Sequence, residues 1–411
     1  MSLVVFEDEG WRRFVPLSYT RHMSELLWGT RSILESIMEA TRRESAILWG
    51  REYLESVCRE RLSTQYNTRP EQGALFVNAR ARPTEELRRL AGKEGVAVFS
   101  GGSLLLATPG SVALQPGVVG MKSASRLTDG LERQDAEGGA LFENYWDMIE
   151  SNGSAIALQS SRAGWVESLP RNVSLNGPAS NLRIDPGAQV DEFVAFDTGG
   201  GPVVVEEGAV IQHFSRLSGP CFIGRGARVQ SALIRGGTSI FEQCRIGGEV
   251  ENAILMPFTN KAHHGYVGDT IVGEWVNIGA GCTFSNLKNT YGSVRARVGS
   301  KRVETGRQKL GPVVADMAKL SIGALVFAGK AVGVSSHVLG LADDDVPSFT
   351  YWDGQRRRLV ELKLESVVET QRRMMERRGK AMTKSQELLI EHLFQATYGE
   401  RRRAGARSGK I

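Results

Sequence analysis

Val272-Gly-Glu-Trp-Val-Asn-Ile278-Gly-Ala-Gly-Cys-Thr-Phe284 places a large apolar residue at every sixth position, twice followed by glycine. Neither the 3.6-residue period of a helix nor the two-residue period of a strand gives that spacing. A hexapeptide repeat does, and it predicts a parallel β-helix. Each large residue points inward from one face of a triangular coil, the small residue beside it permits the bend, and successive coils bury one continuous core. The same spacing is read from Ile223-Gly224 to Val229, from Ile240 to Ile246-Gly247, and at Ile322-Gly323, Ala328-Gly329 and Val334. That register leaves Val326, Phe327 and Val332 as apolar residues on outer faces, where such surface requires a partner. Glycine, 47 of 411 residues, concentrates between Gly177 and Gly340. The period breaks near Arg235 and between Asn286 and Ala318, where loops are expected to leave the solenoid.

Upstream of residue 168 the pattern changes. Val4–Phe6, Ala46–Trp49, Ala74–Val77 and Val96–Ser100 are short apolar runs of strand length. Ser24–Glu39, Glu52–Leu62 and Glu85–Ala91 read as helices, the first from the spacing of Leu26, Leu27, Ile33 and Ile37. Strands alternating with helices predict a Rossmann-like α/β domain with a parallel, doubly wound sheet over 1–168. The β-helix follows over 169–345. Residues 346–396, with Leu359, Leu362, Met374, Met375, Leu389 and Leu393, read as a helical cap over the end of the solenoid.

Lysine and arginine number 51 against 46 acids, a net charge of +5. Arg401, Arg402, Arg403, Arg407 and Lys410 supply that whole excess within a stretch free of acids. A disordered basic tail is therefore expected over 397–411. Without interleaved aromatics it is not expected to bind nucleic acid. A hydrophobic content of 41% and a charged content of 24% exclude a largely disordered or fibrous chain. No apolar run is long enough to span a membrane, and the acidic turn after Phe6 does not read as a secretory leader. Cys58, Cys221, Cys244 and Cys282 form no C-x-x-C pair, so buried free thiols in a cytoplasmic protein are expected.

Two stretches carry chemistry. Gly10-Trp-Arg-Arg-Phe-Val-Pro-Leu-Ser-Tyr-Thr-Arg21 resembles the opening loop of sugar-1-phosphate nucleotidyltransferases. Such a loop wraps a nucleoside triphosphate with backbone N–H groups, and an arginine neutralises the leaving pyrophosphate. Asp8-Glu9-Gly10 stands where that family has several glycines, and Asn78 where relatives hold Mg²⁺ with an aspartate. The second stretch, Asn260-Lys-Ala-His-His-Gly-Tyr266 through Val276-Asn-Ile-Gly-Ala-Gly281 to Ser285-Asn286, closely resembles the acetyltransferase half of the GlmU-like bifunctional enzymes that make UDP-N-acetylglucosamine. A divergent bacterial branch of that family fits over most of the chain, through Pro16–Arg21, Asn260–His263, Ser285–Asn289 and Val346–Phe349.

The resemblance implies a left-handed β-helix, a homotrimer, and N-acetylation by acetyl-CoA of an amino-sugar 1-phosphate, glucosamine 1-phosphate in the first instance. His263, three residues before Tyr266, stands as the general base. Lys261, Tyr266, Asn277, Asn286 and Lys288 are expected to contact the sugar phosphate, and Ala280 and Ala324 acetyl-CoA. Arg13, Arg21 and Asn78 are expected to contact a nucleotide if the first domain uses UTP or another triphosphate with Mg²⁺; the residues do not designate a metal site. Glu143–Asp147 recurs in the divergent branch without an evident role. The alternative reading is uridylyl or thymidylyl transfer alone, with the β-helix as an assembly scaffold. A zinc hydratase and a non-catalytic scaffold are further rivals.

Overall fold

The computed structural model describes residues 2–70, 73–109, 114–136, 138–160 and 169–409. The chain divides into two units: residues 1–27, 31–145 and 383–392 in one, and 28–30, 146–382 and 393–411 in the other. The expected boundary at 168 lies outside the described residues.

The first unit is built on a seven-stranded sheet. Its order is Gln65–Tyr66, Ile47–Trp49, Ser2–Phe6, Ala74–Asn78, Ser103–Ala107, Val96–Ser100 and Glu132–Asp135. Ser2–Phe6 pairs in parallel with both of its neighbours, and its side chains from Leu3 onward are buried on both faces. The sheet is not wholly parallel as the sequence suggests. Ser103–Ala107 runs antiparallel to both its neighbours, because Gly101 and Gly102, each at positive φ, close a tight hairpin after Ser100. The helix expected over Ser24–Glu39 is shorter. Met23–Glu25 is one 3₁₀ turn, Gly29 turns the chain at φ 69°, and the α-helix starts only at Ile33. Ser32 caps it: its hydroxyl accepts from the Glu35 amide at 3.1 Å, while the Glu35 carboxylate accepts from the Ser32 amide at 2.8 Å.

The second unit is a parallel β-helix whose strands form a 20-stranded sheet and a separate parallel sheet of Thr283–Phe284, Leu325–Val326 and Leu341–Ala342. Val203 pairs with Cys221 and Val210 with Arg228, an interval of three hexapeptides (221 − 203 = 18). Ile223, Val229, Ile240, Ile246, Val272, Ile278 and Phe284 all face the common core, as the spacing predicts. The last series is displaced by two residues. Leu320, Val326, Val332 and Val338 point inward, whereas Ile322 is 79% exposed. The reason lies in two kinds of glycine. Gly279 sits where a Cβ would stand 2.7 Å from the Ile322 amide, so it permits close approach between coils. Gly323 and Gly329 take φ near 65°, so they mark left-handed turns, and the aliphatic residue before each belongs to the turn. The outward apolar residues are therefore Ile322, Leu325 and Phe327, with Val326 and Val332 in the core.

The break between Asn286 and Ala318 is an inserted antiparallel hairpin, Arg295–Val298 with Lys301–Glu304. Near Arg235 no loop leaves the solenoid: the strand carries a bulge between Gln230 and Ala232, and Gly237 turns the chain at φ 78°.

The C-terminal region departs from expectation twice. Thr350–Asp353 adds to the solenoid and pairs antiparallel with Arg358–Glu361. The helix Leu364–Glu376 does not cover the end. It runs back along the side, with Gln371 3.4 Å from the Lys319 ammonium and Arg378 donating to the Gln243 carbonyl. The tail is not disordered at its start. Tyr398–Arg403 is helical, and Arg401 is buried against Glu361 (2.6 Å) and the Phe394 carbonyl (2.7 Å), its guanidinium 4.3 Å from the Phe394 ring centre. A cluster of like charges reads as solvated in sequence, but one of these arginines anchors the segment.

Burial under that side helix has a measurable consequence. Burial pulls the Lys319 amine down to about 7, where Nζ donates to the Met317 carbonyl at 2.6 Å. The unfolded chain keeps its proton up to the ordinary lysine range, so it binds more protons between those limits. This group's contribution to stability therefore rises with pH above about 7 and is lost below it. Between pH 7 and 8.5 wild type should gain roughly 1 kcal/mol relative to Lys319→Met, read as a difference in thermal midpoints. Parallel midpoints for the two proteins across that range would refute the assignment.

Candidate functional site

His263 and His264 occupy the exposed turn between the strands Asn260–Lys261 and Tyr266–Val272. The turn is pinned from both sides. The His264 carbonyl accepts from the Gly281 amide at 3.0 Å, and the His263 carbonyl accepts from Lys261 Nζ at 2.7 Å. Lys261 is 1% exposed, its ammonium also bound by the Gly247 carbonyl at 2.6 Å, and burial lowers it to about 8. This corrects its assignment to a substrate phosphate: the side chain turns into the coil and fixes the backbone that carries His263.

Tyr266 and Asn286 are brought together. Asn286 Nδ2 donates to the Tyr266 hydroxyl at 2.9 Å and to Asp269 Oδ2 at 2.6 Å, and Asp269 Oδ1 accepts from Asn252 at 2.7 Å. The Tyr266 hydroxyl donates to Glu251 at 3.2 Å, and burial with the Glu251 and Asp269 charges raises its pKa. The phenol therefore stays protonated and serves as a hydrogen-bonding group. Asn277 is stacked on the preceding coil, its Oδ1 accepting from Asn260 Nδ2 at 2.9 Å. Lys288 lies on the inserted segment and donates to the Ser293 carbonyl at 2.9 Å. Ala280 is half-buried and its carbonyl accepts from the Gly323 amide. Ala324 is a core residue, with its amide and carbonyl both engaged by neighbouring backbone. Sequence reading missed Asp269 and Glu251; the only signal was an acid three residues after Tyr266 and another fifteen before it.

The first unit carries a second candidate site, a cavity of about 500 Å³ at the ends of its strands. Asp8, Glu9, Gly10, Arg13, Arg80 and Glu143 lie along it. Arg13 donates to the Glu143 carbonyl at 2.6 Å and to Asn144 at 2.9 Å, which gives the Glu143-Asn144 pair a role. Asp147, in the second unit, instead faces Arg307 at 3.4 Å. Asn78 is buried beneath the cavity, donating to Asp8 (3.0 Å) and to the Leu104 carbonyl (2.9 Å). Arg21 does not reach the cavity.

The Pro16–Arg21 stretch is itself a buried support. Arg51 donates to the Ser18 and Arg21 carbonyls, Tyr53 to the Tyr19 carbonyl and Arg61 to the Thr20 carbonyl. Arg51 in turn grips Glu7 through both carboxylate oxygens, at 2.9 and 2.7 Å. Mg²⁺ would need carboxylate oxygens open to it, and Asp8, Glu9 and Glu143 each face an arginine. Both Asp8 oxygens are taken up by Arg80, Asn78 and the Gly10 amide, so the most buried of these carboxylates has no lone pair free and the cavity does not fit that ion.

Residues 3–162 match the family model described as a sugar nucleotidyl transferase. Similar curated proteins include the bifunctional sugar-1-phosphate nucleotidylyltransferase/acetyltransferase of Sulfurisphaera tokodaii, 31% identical over 34% of this chain and 35% of that protein. The bifunctional protein GlmU of Methanocaldococcus jannaschii is 36% identical over 41% of this chain and 42% of its own length. That of Bartonella bacilliformis is 25% identical over 52% and 46%. Over these stretches the chain is similar to GlmU proteins. Its matched stretches span less than half the length of these relatives. The chain combines a nucleotidyltransferase-type α/β domain with a parallel β-helix, and no described helix is long and apolar enough to cross a membrane.

Proposed function

We propose that this chain transfers the acetyl group of acetyl-CoA to the amine of an amino-sugar 1-phosphate, glucosamine 1-phosphate in the first instance. The observation that carries the reading is the exposed imidazole of His263 on a turn pinned by Lys261 and Gly281, three residues before Tyr266, whose hydroxyl pairs with Asn286. Histidine accepts a proton near neutral pH without special tuning. As the amine nitrogen attacks the thioester carbonyl, His263 takes its proton. The tetrahedral intermediate then collapses, the carbon–sulfur bond breaks, and the CoA thiolate leaves and is protonated. Tyr266 and Asn286 are assigned to the sugar, with Asn277 and Lys288 at its edge, and the Ala280 backbone to acetyl-CoA.

A homotrimer fits the exposed Ile322, Leu325 and Phe327, which a second copy would cover. Four buried free cysteines suit a reducing cytoplasm. A second reading, uridylyl or thymidylyl transfer from a triphosphate to give UDP-N-acetylglucosamine in the uridylyl case, is favoured by the family model over residues 3–162 and opposed by the arginine-paired carboxylates of the first unit's cavity. The test incubates the protein with acetyl-CoA, UTP, Mg²⁺ and a panel of sugar 1-phosphates and identifies products by mass. An acetylated amino-sugar phosphate is the expected product. No acetylated product from any amine in the panel would overturn the reading.

A further inference from the structure

Every carboxylate along the cavity of the first unit already has a cationic partner. Asp8 engages both oxygens: Oδ1 accepts from Arg80 Nε at 2.9 Å and from the Gly10 amide at 3.0 Å, and Oδ2 from Arg80 Nη2 at 2.6 Å and Asn78 Nδ2 at 3.0 Å. Glu9 pairs with Arg12 at 2.7 Å, and Glu143 lies 3.5 Å from Arg80 and 3.8 Å from Arg13. Arg80 is 2% exposed, and its other N–H groups reach the Phe142 carbonyl at 3.0 Å and Ser103 Oγ at 3.3 Å. Gly10 completes the arrangement. A Cβ there would stand 2.3 Å from Arg80 Nε, so the glycine admits a guanidinium where a nucleotide loop would admit a phosphate.

We propose that Arg80 permanently occupies the place where nucleotidyl transfer would need a divalent cation, so that the first unit transfers no nucleotide. Transfer to a sugar phosphate requires a cation placed to stabilise the charge that develops on the α-phosphoryl group and the leaving pyrophosphate. A triphosphate can bring Mg²⁺ with it, and the protein ordinarily completes the site with one or two carboxylates. For Asp8 to do so it would have to release Arg80, leaving a buried guanidinium without its counter-charge. Arg80 cannot substitute in the reaction, because it is buried and its N–H groups are spent on Asp8, the Phe142 carbonyl and Ser103 rather than open to a phosphate. Resting on the acetyl-transfer reading, this assigns the chain a place in a sequence of reactions. The acetylated sugar leaves with its 1-phosphate intact, and a nucleotidyl transfer on a separate protein must consume it.

The full chain is titrated with Mn²⁺, with the electron paramagnetic resonance of the free aquo ion as readout. Pyrophosphate release from UTP and N-acetylglucosamine 1-phosphate with Mg²⁺ is measured on the same preparation, alongside acetyl transfer. The expected result is a free Mn²⁺ signal equal to the protein-free blank and pyrophosphate release no greater than background. One Mn²⁺ bound per chain and lost in Asp8→Asn overturns the proposal, as does Mg²⁺-dependent pyrophosphate release above background. Mn²⁺ retained in Asp8→Asn sits elsewhere, and pyrophosphate release then decides. If acetyl transfer is absent from a chain whose melt shows it folded, the acetylation reading fails while the metal result stands on its own.

Discussion

His263→Ala should lower acetyl-CoA turnover by about 10²–10⁴-fold, the usual cost of losing a general base. The imidazole is exposed and its turn is held through backbone carbonyls, which alanine retains, so the thermal midpoint should not move. Release of the CoA thiol, followed with a thiol reagent at saturating substrate, measures the effect. His264→Ala should cost far less, although the two residues are neighbours on the same turn. Turnover near wild type in purified His263→Ala would remove the residue from the mechanism.

The second large effect is on stability. Glu7→Gln should destabilise the first unit by about 3–5 kcal/mol, because it leaves Arg51 buried without its counter-charge. Burial alone would push the Glu7 carboxyl up, but the Arg51 guanidinium outweighs it and holds the group below its ordinary value. Arg51 also gathers the Ser18 and Arg21 carbonyls, so the whole Pro16–Arg21 segment should loosen with it. Urea midpoints of Glu7→Gln, Arg51→Met and the double variant supply the test. The double variant should lose less than the two single losses combined, since no unpaired charge remains. Simple additivity would mean that the pair is not coupled.

The β-helix was legible because its signal is a period, repeated over many coils and indifferent to detail. The register of one series was not. Ile322-Gly323 and Ile278-Gly279 are the same two letters, yet one glycine turns the chain and the other admits a neighbouring coil. Only the three-dimensional stack distinguishes these uses. The turn carrying His263 was legible for a related reason: its residues are contiguous. Lys261 was misassigned because a lysine beside a histidine reads as a phosphate ligand, and nothing local reveals that its ammonium has two carbonyls waiting inside the coil. In the first domain the strands were visible as apolar runs. The Asp8–Arg80 and Glu7–Arg51 pairs join residues more than forty positions apart, and no spacing announces such partners.

The antiparallel strand Arg358–Glu361 bears on how these molecules behave when crowded. A stack of parallel coils has no intrinsic length: its last coil offers the same unpaired amides and carbonyls that the next coil of another molecule could take up. Here Arg358–Glu361 closes the edge left by Thr350–Asp353, and on its far side the Glu361 amide donates to the Arg407 carbonyl and the Arg407 amide to the Leu359 carbonyl. The basic segment thereby acts as a stopper. A chain cut before Arg358 would expose a templating edge, and end-to-end growth into filaments would compete with the finite particle.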